Sequence, residues 1–123
     1  MKQLTCMVVD DDISARELLG SLLRTQFGAL VVTASDSTEA LRKCREKPAD
    51  IIWLDIDMPD SDGFETLGMI LRVKADQYVV MVSGHSSVDY VKKSVELGAK
   101  GFIVKPFSTA KVESAVNKFL AAR

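Results

Sequence analysis

Hydrophobic positions gather in five short runs: LTCMVV at 4–9, ALVVTA at 29–34, DIIWLD at 50–55, YVVMVS at 78–83 and GFIVKP at 101–106. The runs are rich in Val and Ile and do not alternate with polar residues. That is the pattern of strands covered on both faces, as in a parallel sheet. The second run is the weakest and suits a sheet edge. Between the runs the spacing becomes helical. Leu18, Leu19, Leu22 and Leu23 form a stripe, with Ser14 and Glu17 as a capping box ahead of it. Asp36 and Glu39 offer another box before EALRKCRE. Phe64, Leu67, Ile70 and Leu71 make a third stripe, and Val112, Ala115, Val116, Phe119 and Leu120 the last. A helix beginning near Ser87 meets its stop at Gly98.

The alternation predicts an α/β fold, a doubly wound five-stranded parallel sheet with helices on both faces. In such sheets ligands bind outside the carboxyl ends of the strands, where strand order reverses. The residues at those ends carry chemistry. The first run ends in Asp10, Asp11 and Asp12, and the third in Asp55 with Asp57 close behind. The fourth ends in Ser83 and Gly84, and the fifth in Lys105 and Pro106. Asp12 suits the start of a helix, because Asp is favoured there by capping and the helix dipole. Asp10, Asp11 and Asp55 form an acidic cluster that needs a cation, and hard oxygen donors without His or Cys favour Mg²⁺. A carboxylate nucleophile, a metal, a Lys and a hydroxyl together suit phosphoryl transfer. Asp55 is then the nucleophile, Asp10 and Asp11 the metal side, and Ser83 and Lys105 the phosphate partners. Asp60 and Asp62 are expected to shape the turn before Gly63.

Composition narrows the class. The 123 residues fit one domain, 1–123, and they are 47% hydrophobic and 27% charged, which argues against disorder. Net charge is −1, from 16 basic and 17 acidic residues, which argues against nucleic-acid or membrane-surface binding. Cys6 and Cys44 lack metal-ligand spacing and read as reduced thiols of a cytoplasmic protein. His85 is the single histidine, which argues against a His-based metal site. Trp53, two residues before Asp55, reads as core and as a fluorescence reporter of the site.

Four segments together resemble the receiver domain of two-component response regulators, typified by the single-domain chemotaxis regulator. VVDDD is similar to the family's acidic pair, at Asp10 and Asp11. LDIDMPDSDG resembles its phosphoacceptor segment, D-x-x-M-P-x-x-x-G, with Asp55 as acceptor. VVMVSG supplies the switch hydroxyl at Ser83, and GFIVKPF the lysine at Lys105. The resemblance spans the chain and implies a flavodoxin-like (βα)5 fold with strand order 2-1-3-4-5. It implies that Asp55 accepts a phosphoryl group from a sensor histidine kinase or phosphotransfer protein. Mg²⁺, with Mn²⁺ as substitute, is then held by Asp11, Asp55 and the Asp57 backbone carbonyl, and through water by Asp10. The Lys105–Pro106 bond is expected to be cis. Ser83 and Phe102 act as the switch, and the face of the fourth helix, fifth strand and fifth helix changes to control a downstream target or output domain. Val91, Val95, Lys100, Phe102 and Lys118 are candidates for that face, which offers a phosphorylation-dependent dimer as an alternative to a monomer. Such a protein is no general enzyme and catalyses only its own phosphorylation and dephosphorylation.

Some positions depart from the family pattern. Phe102 stands where chemotaxis regulators have Tyr, and Ser83 where many members have Thr. Asp57 and His85 are expected to modulate phosphoryl lifetime. Two other readings compete. Asp55-Ile56-Asp57 superficially fits the D-x-D of haloacid dehalogenase phosphohydrolases, but that family carries it on the first strand. A receiver used only for docking would not need the full set of chemical groups.

Overall fold

The computed structural model describes residues 2–59, 61–85 and 87–123. Five strands alternate with five helices: β1 (Thr5–Val9), α1 (Ile13–Phe27), β2 (Leu30–Ala34), α2 (Ser37–Glu46), β3 (Ile51–Asp55), α3 (Gly63–Val73), β4 (Tyr78–Ser83), α4 (Val88–Glu96), β5 (Gly101–Val104) and α5 (Thr109–Ala122). The strands form one parallel sheet in the order β2-β1-β3-β4-β5. This is the predicted flavodoxin-like fold. Its order reverses between β1 and β3, so a crevice opens above their carboxyl ends.

Strand periodicity divides the core. Cys6, Val8, Ile51, Trp53, Val80, Val82 and Ile103 point to one face and pack with Leu19 and Leu23 of α1 and Val112, Val116 and Phe119 of α5. Met7, Val9, Ile52, Leu54, Val79 and Met81 point to the other, against Ala40 and Cys44 of α2 and Leu67 and Ile70 of α3. β3 is buried at every position, which explains why its sequence cannot alternate. Trp53 is fully buried, as expected of a core residue. β2 behaves differently: at the sheet edge its residues alternate between exposed and half-buried before Ala34. Leu30 and Val32 face solvent there.

Several local readings need correction. Asp12 caps α1 as expected, its side chain accepting the Ser14 amide at 2.9 Å, and the Ser14–Glu17 box is the reading that fails. An Asp immediately before the helix reaches that amide from extended backbone, so no Ser14–Glu17 box is needed. Leu19 and Leu23 are buried, but Leu18 is 49% exposed. Neighbours in a helix stand about 100° apart, so only part of a four-leucine stripe can face the sheet. Leu120 is exposed for the same reason. The fifth run stops as a strand at Val104, before Lys105 and Pro106.

Half of the second box forms: the Asp36 side chain accepts the Glu39 amide at 2.8 Å, while the Glu39 carboxylate pairs with Lys43 at 3.1 Å. Ser87 caps α4, and Gly98 ends that segment with φ of 106°, a conformation that favours glycine. Asp62 caps α3 by accepting the amides of Phe64 at 2.9 Å and Glu65 at 3.4 Å. Gly63 follows because a Cβ there would lie 2.5 Å from the Ile56 Cα. The expected role of Asp60 in this turn lies outside the described residues.

Candidate functional site

The sheet ladder pins each strand end at its carboxyl edge. The amide of Asp10 donates to the Ala34 carbonyl at 3.1 Å, that of Ile56 to Val82 at 2.8 Å, and that of Lys105 to Ser83 at 2.8 Å. Side chains far apart in sequence are therefore brought to one crevice. Asp10 and Asp55 are each 2% exposed, Ser83 is fully buried, and Asp11 sits at the solvent rim.

One carboxylate oxygen from each of Asp10, Asp11 and Asp55 lies within 4.8 Å of the others. Lys105 Nζ reaches this cluster from β5's end, 3.0 Å from Asp10 Oδ2 and 3.5 Å from Asp55 Oδ2. The Lys105–Pro106 peptide bond is cis. Each buried carboxylate also closes a short turn: Asp10 Oδ1 accepts the Asp12 amide at 2.9 Å, and Asp55 Oδ1 accepts the Asp57 amide at 3.1 Å. Arg16 Nη1 donates to the Asp10 carbonyl at 2.7 Å. No sequence signal pointed to Arg16, because a helix arginine is ordinarily a solvated one.

Burial pushes the Asp55 carboxyl up to about 6. The Asp57 amide works against this, Asp10 adds to it, Lys105 lowers it and Asp57 raises it again. For Lys105, burial favours the neutral amine, but the hydrogen bond to Asp10 and the attraction of Asp55 outweigh it and raise its pKa. Lys105 is the one cation in contact with the Asp10 and Asp55 carboxylates among the described residues, and it offsets only part of the charge of the cluster. Three convergent carboxylates of hard oxygen fit a cation such as Mg²⁺, which would offset the rest.

Asp57 and His85 complete the surroundings. The Asp57 carboxylate does not join the acidic cluster. Its Oδ2 accepts the Ser83 hydroxyl at 3.0 Å and the Gly84 amide at 2.8 Å. His85 is exposed, with Nε2 3.8 Å from Asp57 Oδ1. Phe102 is half-buried on β5, opposite Met81, and packs on the α2/α3 side of the core. The Asp57–Ser83 bond was not foreseeable from spacing, since 26 residues separate the two.

Residues 6–117 match the family described as the response regulator receiver domain. The chain belongs to this family. This receiver domain is 34% identical over 115 residues to the chemotaxis protein CheY of Listeria monocytogenes, across 94% of this chain and 97% of that one. It is 36% identical over 120 residues to the transcriptional regulatory protein ZraR of Klebsiella oxytoca, across 98% of this chain and 27% of ZraR. A solved structure of the CheX–CheY–BeF3–Mg²⁺ complex from Borrelia burgdorferi contains a chain that superposes with a TM-score of 0.89 at 33% identity, over 95% of this chain and 89% of that one. Receiver domains are signalling proteins, and the acidic cluster here is compatible with Mg²⁺. Among the described residues, no helix is long and apolar enough to cross a membrane.

Proposed function

We propose that the whole chain, 1–123, is a phosphorylation-activated switch of a two-component relay in the cytoplasm, with Asp55 as the phosphoacceptor. The observation that carries this reading is Asp55 itself: a buried carboxylate at the end of the central strand, within reach of Lys105 and two further acids. A carboxylate oxygen of Asp55 attacks the phosphorus of a phosphohistidine on a sensor histidine kinase or phosphotransfer protein. The P–N bond breaks, its electron pair returns to the imidazole, and an acyl phosphate remains on Asp55. Lys105 offsets the negative charge on the phosphoryl oxygens, and Ser83 donates its hydroxyl to one of them. Asp10, Asp11, Asp55 and the Asp57 backbone carbonyl are the residues that would hold Mg²⁺ or Mn²⁺. The ion supplies charge neutralisation between nucleophile and phosphoryl group.

The output is a population shift between two packings. Ser83 moves toward the phosphoryl group and Phe102 turns inward behind it. The α4–β5–α5 face then changes for a target protein, an output domain or a second copy. Support for that face comes from its surface. Val91 and Val95 are exposed apolar residues, and Lys100 and Lys118 are exposed nearby in the fold. A groove of about 570 Å³ between β5 and α5 is lined by Phe102, Lys111 and Lys118, among others. Asp57 and His85, beside Ser83, modulate phosphoryl lifetime.

The test is incubation with acetyl phosphate and Mg²⁺, or with a phosphorylated histidine kinase, followed by intact mass measurement. One phosphoryl group per chain is expected, absent in Asp55→Asn. Phosphate retained at this site by Asp55→Asn would overturn the acceptor assignment, and sustained hydrolysis of phosphate esters would favour a hydrolase instead.

A further inference from the structure

The Asp57 carboxylate is not used by its own turn. From the end of β3 it crosses to the end of β4, where one oxygen takes both the Ser83 hydroxyl at 3.0 Å and the Gly84 amide at 2.8 Å. A serine hydroxyl has a single proton to donate. That proton is given to Asp57, while the Ser83 oxygen accepts the His85 amide at 3.0 Å. The one proton of the buried Ser83 hydroxyl is therefore directed to Asp57 and not to Asp55.

We propose that Asp57 is a latch on Ser83, a positioning residue that holds the switch hydroxyl in its resting place. A phosphoryl group on Asp55 and the carboxylate of Asp57 compete for the same proton. Throwing the switch then means exchanging one charge-assisted hydrogen bond for another. The acid at position 57 thereby sets how readily phosphorylation moves Ser83. His85, whose amide donates to Ser83, links the latch to α4: its ring lies 5.5 Å from that of Tyr90, which meets Phe64 of α3 edge-on at 5.5 Å. Release of Asp57 and Ser83 loosens the contact that ties the end of β4 to this aromatic pair. The inference rests on the reading of Asp55 as acceptor.

A double-mutant cycle on the full chain tests it, with beryllofluoride as the phosphoryl mimic at saturating Mg²⁺. The Gly84 amide resonance, which reports its bond to Asp57, follows the titration. The four proteins are wild type, Asp57→Ala, Ser83→Ala and the double variant. Asp57→Ala is expected to tighten beryllofluoride binding about tenfold when Ser83 is present. With Ala at 83 the gain falls to about twofold, which is the effect of removing a nearby negative charge from an anion site. Asp57→Asn keeps the side chain's size and its acceptor oxygen but not the charge, and gives an intermediate gain that also depends on Ser83. Equal gains in the presence and absence of Ser83 would overturn the latch, because Asp57 would then act by charge alone. A wild-type protein that binds no beryllofluoride would overturn the acceptor reading, and the latch with it. One that binds it with an additive cycle would overturn the latch only.

Discussion

The acidic turns after β1 and β3 begin alike and end differently. In each, a buried carboxylate accepts the amide two residues on: Asp10 from Asp12, Asp55 from Asp57. In each, Lys105 stands beside that carboxylate. The difference lies in the acid two places later. After β1 the helix starts at once, so Asp12 is consumed as the cap of α1. After β3 the helix starts late and Asp62 caps it. Asp57 is thereby left to cross to Ser83 and Gly84. Two near-identical patterns of acids acquire separate tasks because the distance to the next helix differs.

The largest expected consequence of that asymmetry is chemical. Asp55→Asn should abolish stoichiometric phosphorylation by acetyl phosphate, whereas Asp10→Asn should retain it once Mg²⁺ is raised. For Asp10→Asn, Mg²⁺ affinity is expected to fall roughly 10–100-fold, measured by titration. Equal loss of phosphorylation in both variants at saturating Mg²⁺ would erase the distinction between the turns.

Next in size is a stability effect with a defined pH window. Asp55 is raised from the ordinary carboxylate value of 3.8 to about 6. Between these values the folded chain holds a proton that the unfolded chain has released. Stability therefore falls as pH rises through this window, and the deficit persists above it. Asp55→Asn cannot ionise. Without Mg²⁺ it should exceed wild type by roughly 1–3 kcal/mol at neutral pH, with the gap closing below about pH 4. Urea denaturation at several pH values measures this, and a gap independent of pH would contradict it.

The smallest effects concern the two caps. Asp12→Ala and Asp62→Ala should each cost about 1 kcal/mol. Asp62→Ala is expected to cost slightly more, because it leaves two amides without their acceptor where Asp12→Ala leaves one. Thermal melts compare them. If Asp12→Ala instead left stability unchanged and weakened Mg²⁺ binding, Asp12 would belong with the cluster and the contrast between the turns would fail.

Much of this was legible in the chain. Continuous apolar runs such as IIWL announce strands buried on both faces, because Ile51 to Leu54 alternate between the two helix-covered halves of the core. An edge strand does not need that, and β2 was accordingly the weakest signal. Strand-end residues identified the acidic pair, Ser83 and Lys105, since a parallel sheet brings all such ends to one side. Leucine stripes are less legible: Leu18 and Leu19 look equivalent in sequence, yet the helix turns Leu18 outward. The role of the Asp57 side chain was beyond reach, because a hydrogen bond across 26 residues depends on the β3–β4 register and on where α3 begins.

The sequence by itself determined the alternation of strands and helices, their parallel pairing and the gathering of Asp10, Asp11, Asp55, Ser83 and Lys105 at one edge. Those properties follow from the periodicity of burial and from chain order. Only the tertiary structure decided that the Asp57 carboxylate leaves the cluster and bonds to Ser83 and Gly84. A carboxylate's task is set by the donors within about 3 Å of it, and those donors come from segments the chain brings together only when folded.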